Sequence, residues 1–313
     1  LSVLLSVLFL VLAGCGQVAG EGEDEEEEGT ALVSHAPDPG DYQVVAFNDL
    51  GMHCMDGDYS VFAILPPFNV VNAQVVATGT DGGGTRLVDD AEVSLRYRAR
   101  TDPQGSVNST SAGKTNFWDF EKDLFGVELA PGTGLTGQSM PGQGAEGFGH
   151  FDPAKQWFRA EGIPITPTDD AGQPNHYPVL TVEAVKNGQV VASTPVVLPV
   201  STEMDCMACH DTGKAAADAA GINWSGDGDK QIRTRENILL LHDDSHGTDL
   251  ANSTPVLCAD CHYSPALDLA GTGPDAAQKG QPALSHAIHG FHADRTYFQN
   301  HAGDMGKTCY QCH

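Results

Sequence analysis

From Tyr42 to about Val200 the apolar residues fall in short runs, QVVAF, SVFAILPPF and NAQVVATG among them, broken by Gly, Asp and Pro. AEVSLRYRAR (residues 91–100) alternates apolar and polar positions, the period of a strand with one buried face. LTVEAV and VVASTPVVL flank Lys186-Asn187-Gly188-Gln189, and Asn-Gly between two such runs predicts a tight hairpin. Regular short strands with turn signals predict a β-sandwich-like domain over residues 42–200. Gly126 to Gly149 reads as a long glycine-rich surface loop; no strand-loop-helix frame surrounds it, so it is not a phosphate cradle. From Ser201 apolar residues thin out and strands are no longer expected. Short helices are predicted at Arg235–His242 (RENILLLH) and Leu284–Ala293 (LSHAIHGFHA). The expected fold class is α+β and multidomain: a β-sandwich-like domain, then a loop-rich domain with short helices over residues 201–313.

The N-terminal segment has a different character. LSVLLSVLFLVLAGC is an apolar run ending in small residues, the form of a secretory signal and too short for a membrane span. Leu12-Ala13-Gly14-Cys15 resembles the bacterial lipobox, which implies cleavage before Cys15 and a lipid on its sulfur. Gly16 follows, where an Asp would resemble an inner-membrane retention signal, so the resemblance points to the outer membrane. Residues 1–15 are thus expected to be a signal peptide. Residues 16–41 are expected to form a tether, because Glu21 to Glu28 holds seven acids in eight positions and like charges that dense repel into an extended chain. The net charge of the chain is −26, which disfavours nucleic acid and anionic headgroups as partners.

The region after Ser201 holds six of the eight Cys and nine of the 13 His. Three pentapeptides recur: Cys206-Met207-Ala208-Cys209-His210, Cys258-Ala259-Asp260-Cys261-His262 and Cys309-Tyr310-Gln311-Cys312-His313. This is the attachment pattern for haem c. Two thiols add to the two vinyl groups on one side of the porphyrin, and the following imidazole ligates the iron. A zinc ribbon also uses CxxC pairs but needs no His after each of them. A disulfide framework is the other reading for an exported chain. The motifs start 52 and 51 residues apart, the spacing of an arrayed unit. At least three haems are expected, with His210, His262 and His313 as proximal ligands, and haem would supply the core that this aliphatic-poor region lacks. Because the chain stops on His313, further CxxCH units are expected in a longer protein.

Bis-His ligation needs a distal imidazole for each haem, and six other His lie in this region. His286, His289 and His292 recur every three residues and would form one stripe on a helix. His242 ends an apolar helical run. His242, His289 and His292 rank first as distal ligands, followed by His246, His286 and His301. Six Cys taken by haem and Cys15 by lipid leave Cys54 outside both roles. It is either a buried thiol acting as a small hydrophobe, or a soft-metal ligand for copper with Met52, His53 and Met55, or the neighbour of a haem ligand, His53. Only five residues separate Val200 from Cys206, so His53, or else His150 or His176, could reach the first haem from the β domain. Asp227-Gly228-Asp229 is half of a calcium loop without the later acidic ligands and reads as a turn.

With these motifs the chain resembles the multihaem c-type cytochromes. The run Asn48-Asp49-Leu50-Gly51-Met52-His53-Cys54-Met55-Asp56, with SVFAILPPFNVVNAQV after it, ENILLLHDD and CYQCH, resembles a family of bacterial cytochrome c lipoproteins in which a β domain precedes several CxxCH units. The resemblance implies a lipid-anchored periplasmic or cell-surface electron carrier whose partners are other redox proteins or extracellular acceptors. Two other functions stay open: a reductase with one open-coordinate haem, and a surface protein that senses redox state or binds a partner. The ample His supply and the absence of a CxxCK variant favour electron transfer.

Overall fold

The computed structural model describes residues 41–79, 84–142, 144–202 and 205–312. The expected leader, Cys15, the tether up to residue 40 and His313 lie outside the described residues. The fold is mixed, mostly strands with short helices. Strands β1 (Tyr42–Asn48), β2 (His53–Cys54), β3 (Phe62–Ala63), β4 (Phe68–Ala77), β5 (Arg86–Val88) and β6 (Ser94–Arg100) come first. Helix α1 (Phe117–Phe125) follows, then β7 (Glu146–Gly147), β8 (His150–Asp152), β9 (Trp157–Pro164), β10 (Val179–Lys186), β11 (Gln189–Val197) and β12 (Val200–Ser201). Next come α2 (Met207–His210), α3 (Lys230–His246), β13 (Val256–Leu257), α4 (Leu284–Ala293) and α5 (Thr296–Asn300).

Two antiparallel sheets carry the first part. One has the order β1-β4-β9-β8 with β5 also on β4, and the other the order β11-β10-β6-β7. The alternation read in 91–100 becomes β6, which buries Leu95 and Tyr97 and turns Arg96 and Arg98 outward onto Glu183 of β10. Val71, Ala73 and Val75 of β4 and Leu180, Val182 and Ala184 of β10 follow the same period and meet Leu95 and Tyr97 in one core. Asn187 and Gly188 both have positive φ (53° and 78°), as a two-residue hairpin turn between β10 and β11 requires.

Glu92 clasps this part together at one end. Its carboxylate accepts from Tyr42 Oη of β1 at 2.6 Å, Lys186 Nζ of β10 at 2.9 Å and Arg86 Nη2 of β5 at 2.5 Å. These donors hold the Glu92 carboxyl down at about 2. A depressed folded-state value stabilises the fold above the unfolded carboxyl range, near about 4.3, and that stabilisation is lost as pH falls towards 2. The melting temperature of Glu92→Gln should therefore lie below that of the parent at neutral pH. The gap should close between about pH 4 and 2, as read by circular dichroism melts; a gap independent of pH would exclude the charge as its source.

Helix α1 departs from the all-strand expectation for 42–200. Phe117, Glu121 and Leu124 form its buried stripe, and Gly126 (φ 69°) stops it by donating its N–H to Lys122 O. The glycine-rich stretch also departs from a pure surface loop: Trp118 Nε1 donates to Thr133 O at 2.9 Å, and Met140 is buried in the core.

The expected loss of strands after Ser201 is not what the structure has. Val200 and Ser201 pair in parallel with His53 and Cys54, and Val256 and Leu257 pair in parallel with Phe62 and Ala63. Met55 N–H also donates to Ser201 O at 2.8 Å. An ion pair reinforces this seam. Asp56, fully buried, accepts from Ile64 N–H (2.7 Å), Leu65 N–H (2.9 Å) and Arg235 Nη1 of α3 (3.0 Å). The Arg235 guanidinium also donates to Phe62 O and lies 4.6 Å from the Phe62 ring centre. Among the described residues no helix is long and apolar enough to cross a membrane.

Candidate functional site

The first two CxxCH motifs, and the described residues 309–312 of the third, are each wound as one helical turn. Cys206 O accepts from Cys209 N–H (3.3 Å) and His210 N–H (2.9 Å); Cys258 O accepts from Cys261 N–H (3.4 Å) and His262 N–H (3.0 Å). In the third motif Cys309 O accepts from Cys312 N–H at 3.2 Å. One turn brings residues i and i+3 to the same side and starts i+4 on the next turn. In the first two motifs this keeps both Cys and the His within about one turn of each other. Burial pushes the Cys206 thiol up to about 11 and the Cys258 thiol to about 12. Disulfide-exchanging CxxC motifs need the opposite shift, a stabilised thiolate.

Two of the three motif histidines face an imidazole from a distant part of the chain. The His210 and His292 ring centres are 6.1 Å apart with planes at 82°, and those of His262 and His242 are 6.4 Å apart at 81°. Two imidazole nitrogens on opposite sides of one metal ion, each about 2 Å from it, put their ring centres roughly 6 Å apart. Burial and the facing His292 lower His210 to about 4. Burial, His246 and His262 lower His242. Both rings are thus neutral at pH 7, the form that ligates a metal.

The opposite edges of these rings are held. His262 Nδ1 meets Pro282 O at 2.9 Å, His242 Nδ1 meets Thr248 Oγ1 at 2.9 Å and His292 Nδ1 meets Ile288 O at 2.7 Å. An oxygen that accepts from Nδ1–H in this way fixes the tautomer and aims the other nitrogen outward. His289 and His301 share the posture, with Nδ1 on the carbonyls of Ser285 and Tyr297, each 2.8 Å away. His246 stacks beside His242 at 4.8 Å, and His286 lies against Gly290 on α4. His210 Nδ1 is buried with no hydrogen-bond partner, so its ring is aimed from the backbone.

That backbone is clamped by α3. Asn237, fully buried, donates Nδ2 to His210 O and to Thr212 Oγ1, both at 2.9 Å, and accepts from Ser225 N–H at 2.8 Å. Arg233 Nε donates to Asp211 Oδ1 at 2.6 Å. Sequence reasoning missed Asn237, Arg233 and Arg235. No local signal marked them, since they stand among Lys230, Gln231, Thr234 and Glu236 in the polar first half of the helix. The helix itself starts at Asp229, whose side chain accepts from Gln231 N–H and Ile232 N–H. Asp227-Gly228-Asp229 is accordingly a turn and cap.

His53 is packed into the strand region. Its ring lies 4.3 Å from that of Phe68, its Nε2 is 2.8 Å from Pro66 O, and burial lowers it to about 4. An Nε2 held this way is not available to a metal. Cys54 beside it is half-buried, His150 is exposed on β8, and His176 sits by Val200 O. Among the described residues no group of three or more His, Cys, Asp or Glu gathers as a metal cage. No protein-family model, curated protein or solved structure matches this chain.

Proposed function

We propose that this chain is an exported multihaem c-type cytochrome that carries electrons through at least three covalently held haems. The observation that carries this reading is the pair of opposed imidazoles, each formed by the His of a CxxCH turn and a His 82 or 20 residues away along the chain (210 to 292, 242 to 262). A zinc ion held by protein alone takes four ligands, whereas an iron already held by four porphyrin nitrogens takes two. Packing gives independent support. From 205 to 312 the buried apolar residues are Ala217, Leu239, Ala259 and Leu284, while Met207, Leu269, Phe291, Tyr297, Met305 and Tyr310 are exposed. So few side chains make little core for a region of that length, and macrocycles seated between the His pairs would complete it.

When bound, haem supplies a one-electron iron couple. The protein side is positional. The Cys turns would fix each ring covalently, His210 and His262 would ligate from one face, and His292 and His242 from the other. His289 and His301 are the candidates to face the third motif, with His246 and His286 behind them. Ligation from both faces at these two sites favours electron transfer over a reductase, since it would leave neither of these irons with a position open to a small substrate. In this reading a β-sandwich-like domain supports the haem-packed region. Cys15 carries the lipid at the outer membrane, and the partners are other redox proteins.

The test is expression in a host that matures c-type cytochromes. Acid-extracted, denatured chain should keep its colour and gain the mass of one haem per motif, and Cys258→Ala with Cys261→Ala should remove one of them. An unmodified polypeptide mass would overturn the proposal. Separately, Cys15→Ser should move the protein from the membrane to the soluble fraction; a variant that still sediments with membranes would remove the anchor from this account.

A further inference from the structure

Three sites wound from successive stretches of chain need not lie in chain order. Helix α3 binds the first motif at two points, through Asn237 on His210 O and Thr212 and through Arg233 on Asp211. Five residues beyond Asn237, about 8 Å along the helix axis, the same helix carries His242, which faces His262 of the second motif. The first and second sites therefore share one rigid support. The buried Asp56–Arg235 pair belongs to the same support: Arg235 donates to Phe62 O, and Phe62–Ala63 pairs with Val256–Leu257, the strand that runs directly into Cys258.

The third motif approaches the first from another direction. Asp205 N–H, one residue before the first motif, donates to Cys312 O at 3.0 Å. The third motif thus touches the residue that leads into the first, although the two motifs start 103 residues apart, at 206 and 309.

On the haem reading above, we propose that the first motif is the junction of the array: α3 joins it to the second site and the Asp205–Cys312 contact joins it to the third, so electrons passing between the second and third sites go by way of the first. The order in space is second, first, third. Each transfer moves one electron and neither makes nor breaks a bond. A reduced redox protein supplies the electron and an oxidised one removes it.

The experiment uses the full, haem-loaded chain. Flash photoreduction of a fraction of the molecules, followed by freeze-quench EPR, reads how fast electrons redistribute among the three sites. Cys206→Ala with Cys209→Ala should leave two haems by mass and lose the fast exchange between the second and third sites. His292→Met keeps the first ring attached and raises its potential, so it becomes an electron trap; it should slow the same exchange with the far-ultraviolet spectrum unchanged. Fast exchange between the second and third sites that survives both variants would overturn the junction. A chain that carries no haem by mass would instead remove the cytochrome reading on which the junction rests.

Discussion

Asp56→Ala is expected to destabilise the protein by about 3–5 kcal/mol, the range for breaking a buried ion pair from one side. The removed carboxylate is the partner of Arg235, which is only 9% exposed, and of the N–H groups of Ile64 and Leu65. All three donors would be left in a site too buried for water to serve them. Against a total stability of about 5–15 kcal/mol for an ordinary domain, such a loss is large. Arg235→Ala should cost a similar amount, because it leaves the fully buried Asp56 carboxyl, which burial already pushes up, without the cation that offsets its burial. The double variant should cost much less than the sum, since neither charge is then stranded. Urea unfolding of the four proteins measures this. Additive single losses, or a cost below about 1 kcal/mol for Asp56→Ala, would mean that the pair does not hold the seam. On the cytochrome reading the haem spectrum should change as well, because α3 carries Asn237 and His242 on the same helix as Arg235.

The second large effect is spectroscopic. If the chain is the cytochrome proposed above, His242→Ala and His292→Ala should each convert one low-spin haem to a high-spin form that binds carbon monoxide, and each should raise the potential of that haem. The two changes would fall on different haems, His242 on the one held at Cys258 and Cys261, His292 on the one held at Cys206 and Cys209. The double variant should therefore lose twice the low-spin signal of either single one. His246→Ala is the control for position, since its ring flanks His242 rather than facing a motif histidine. If His246→Ala produced the high-spin form and His242→Ala did not, the pairing across the second motif would be wrong. Unlike a loss of packing, these changes leave the haem mass in place.

What local sequence could carry, the structure repeats. The alternation at 91–100 is β6, Asn187-Gly188 is a hairpin turn and Leu284–Ala293 is a helix with the expected bounds. Helix α3 was legible only from Arg235, because Lys230 to Thr234 is mostly polar and its start rests on the Asp229 cap. Helix α1 was hidden, since a stripe of Phe117, Glu121 and Leu124 within nine residues is too short to stand out from the strands around it. The His supply was evident in the sequence, but not which ring faces which. His210 meets a residue 82 positions later, and the i, i+3 stripe on α4 gave His289 and His292 equal claim. The NDLGMHCMD run could not be assigned locally at all. His53 and Cys54 drew attention as metal ligands, whereas the run works through Asp56, whose partner stands 179 residues away.

The parallel pairing of Phe62–Ala63 with Val256–Leu257 sets where such a chain can lengthen. The strand that completes β3 arrives 194 residues after it (62 to 256), and the two motifs on either side of α3 are already tied to that closure. An extra CxxCH unit inserted between Val200 and Val256 would have to loop out without shifting α3, Asp56 or either strand pair. Enlargement by duplication is thus closed at the seam, and a chimera that exchanges the strand-rich part must bring Val256–Leu257 and Arg235 with it.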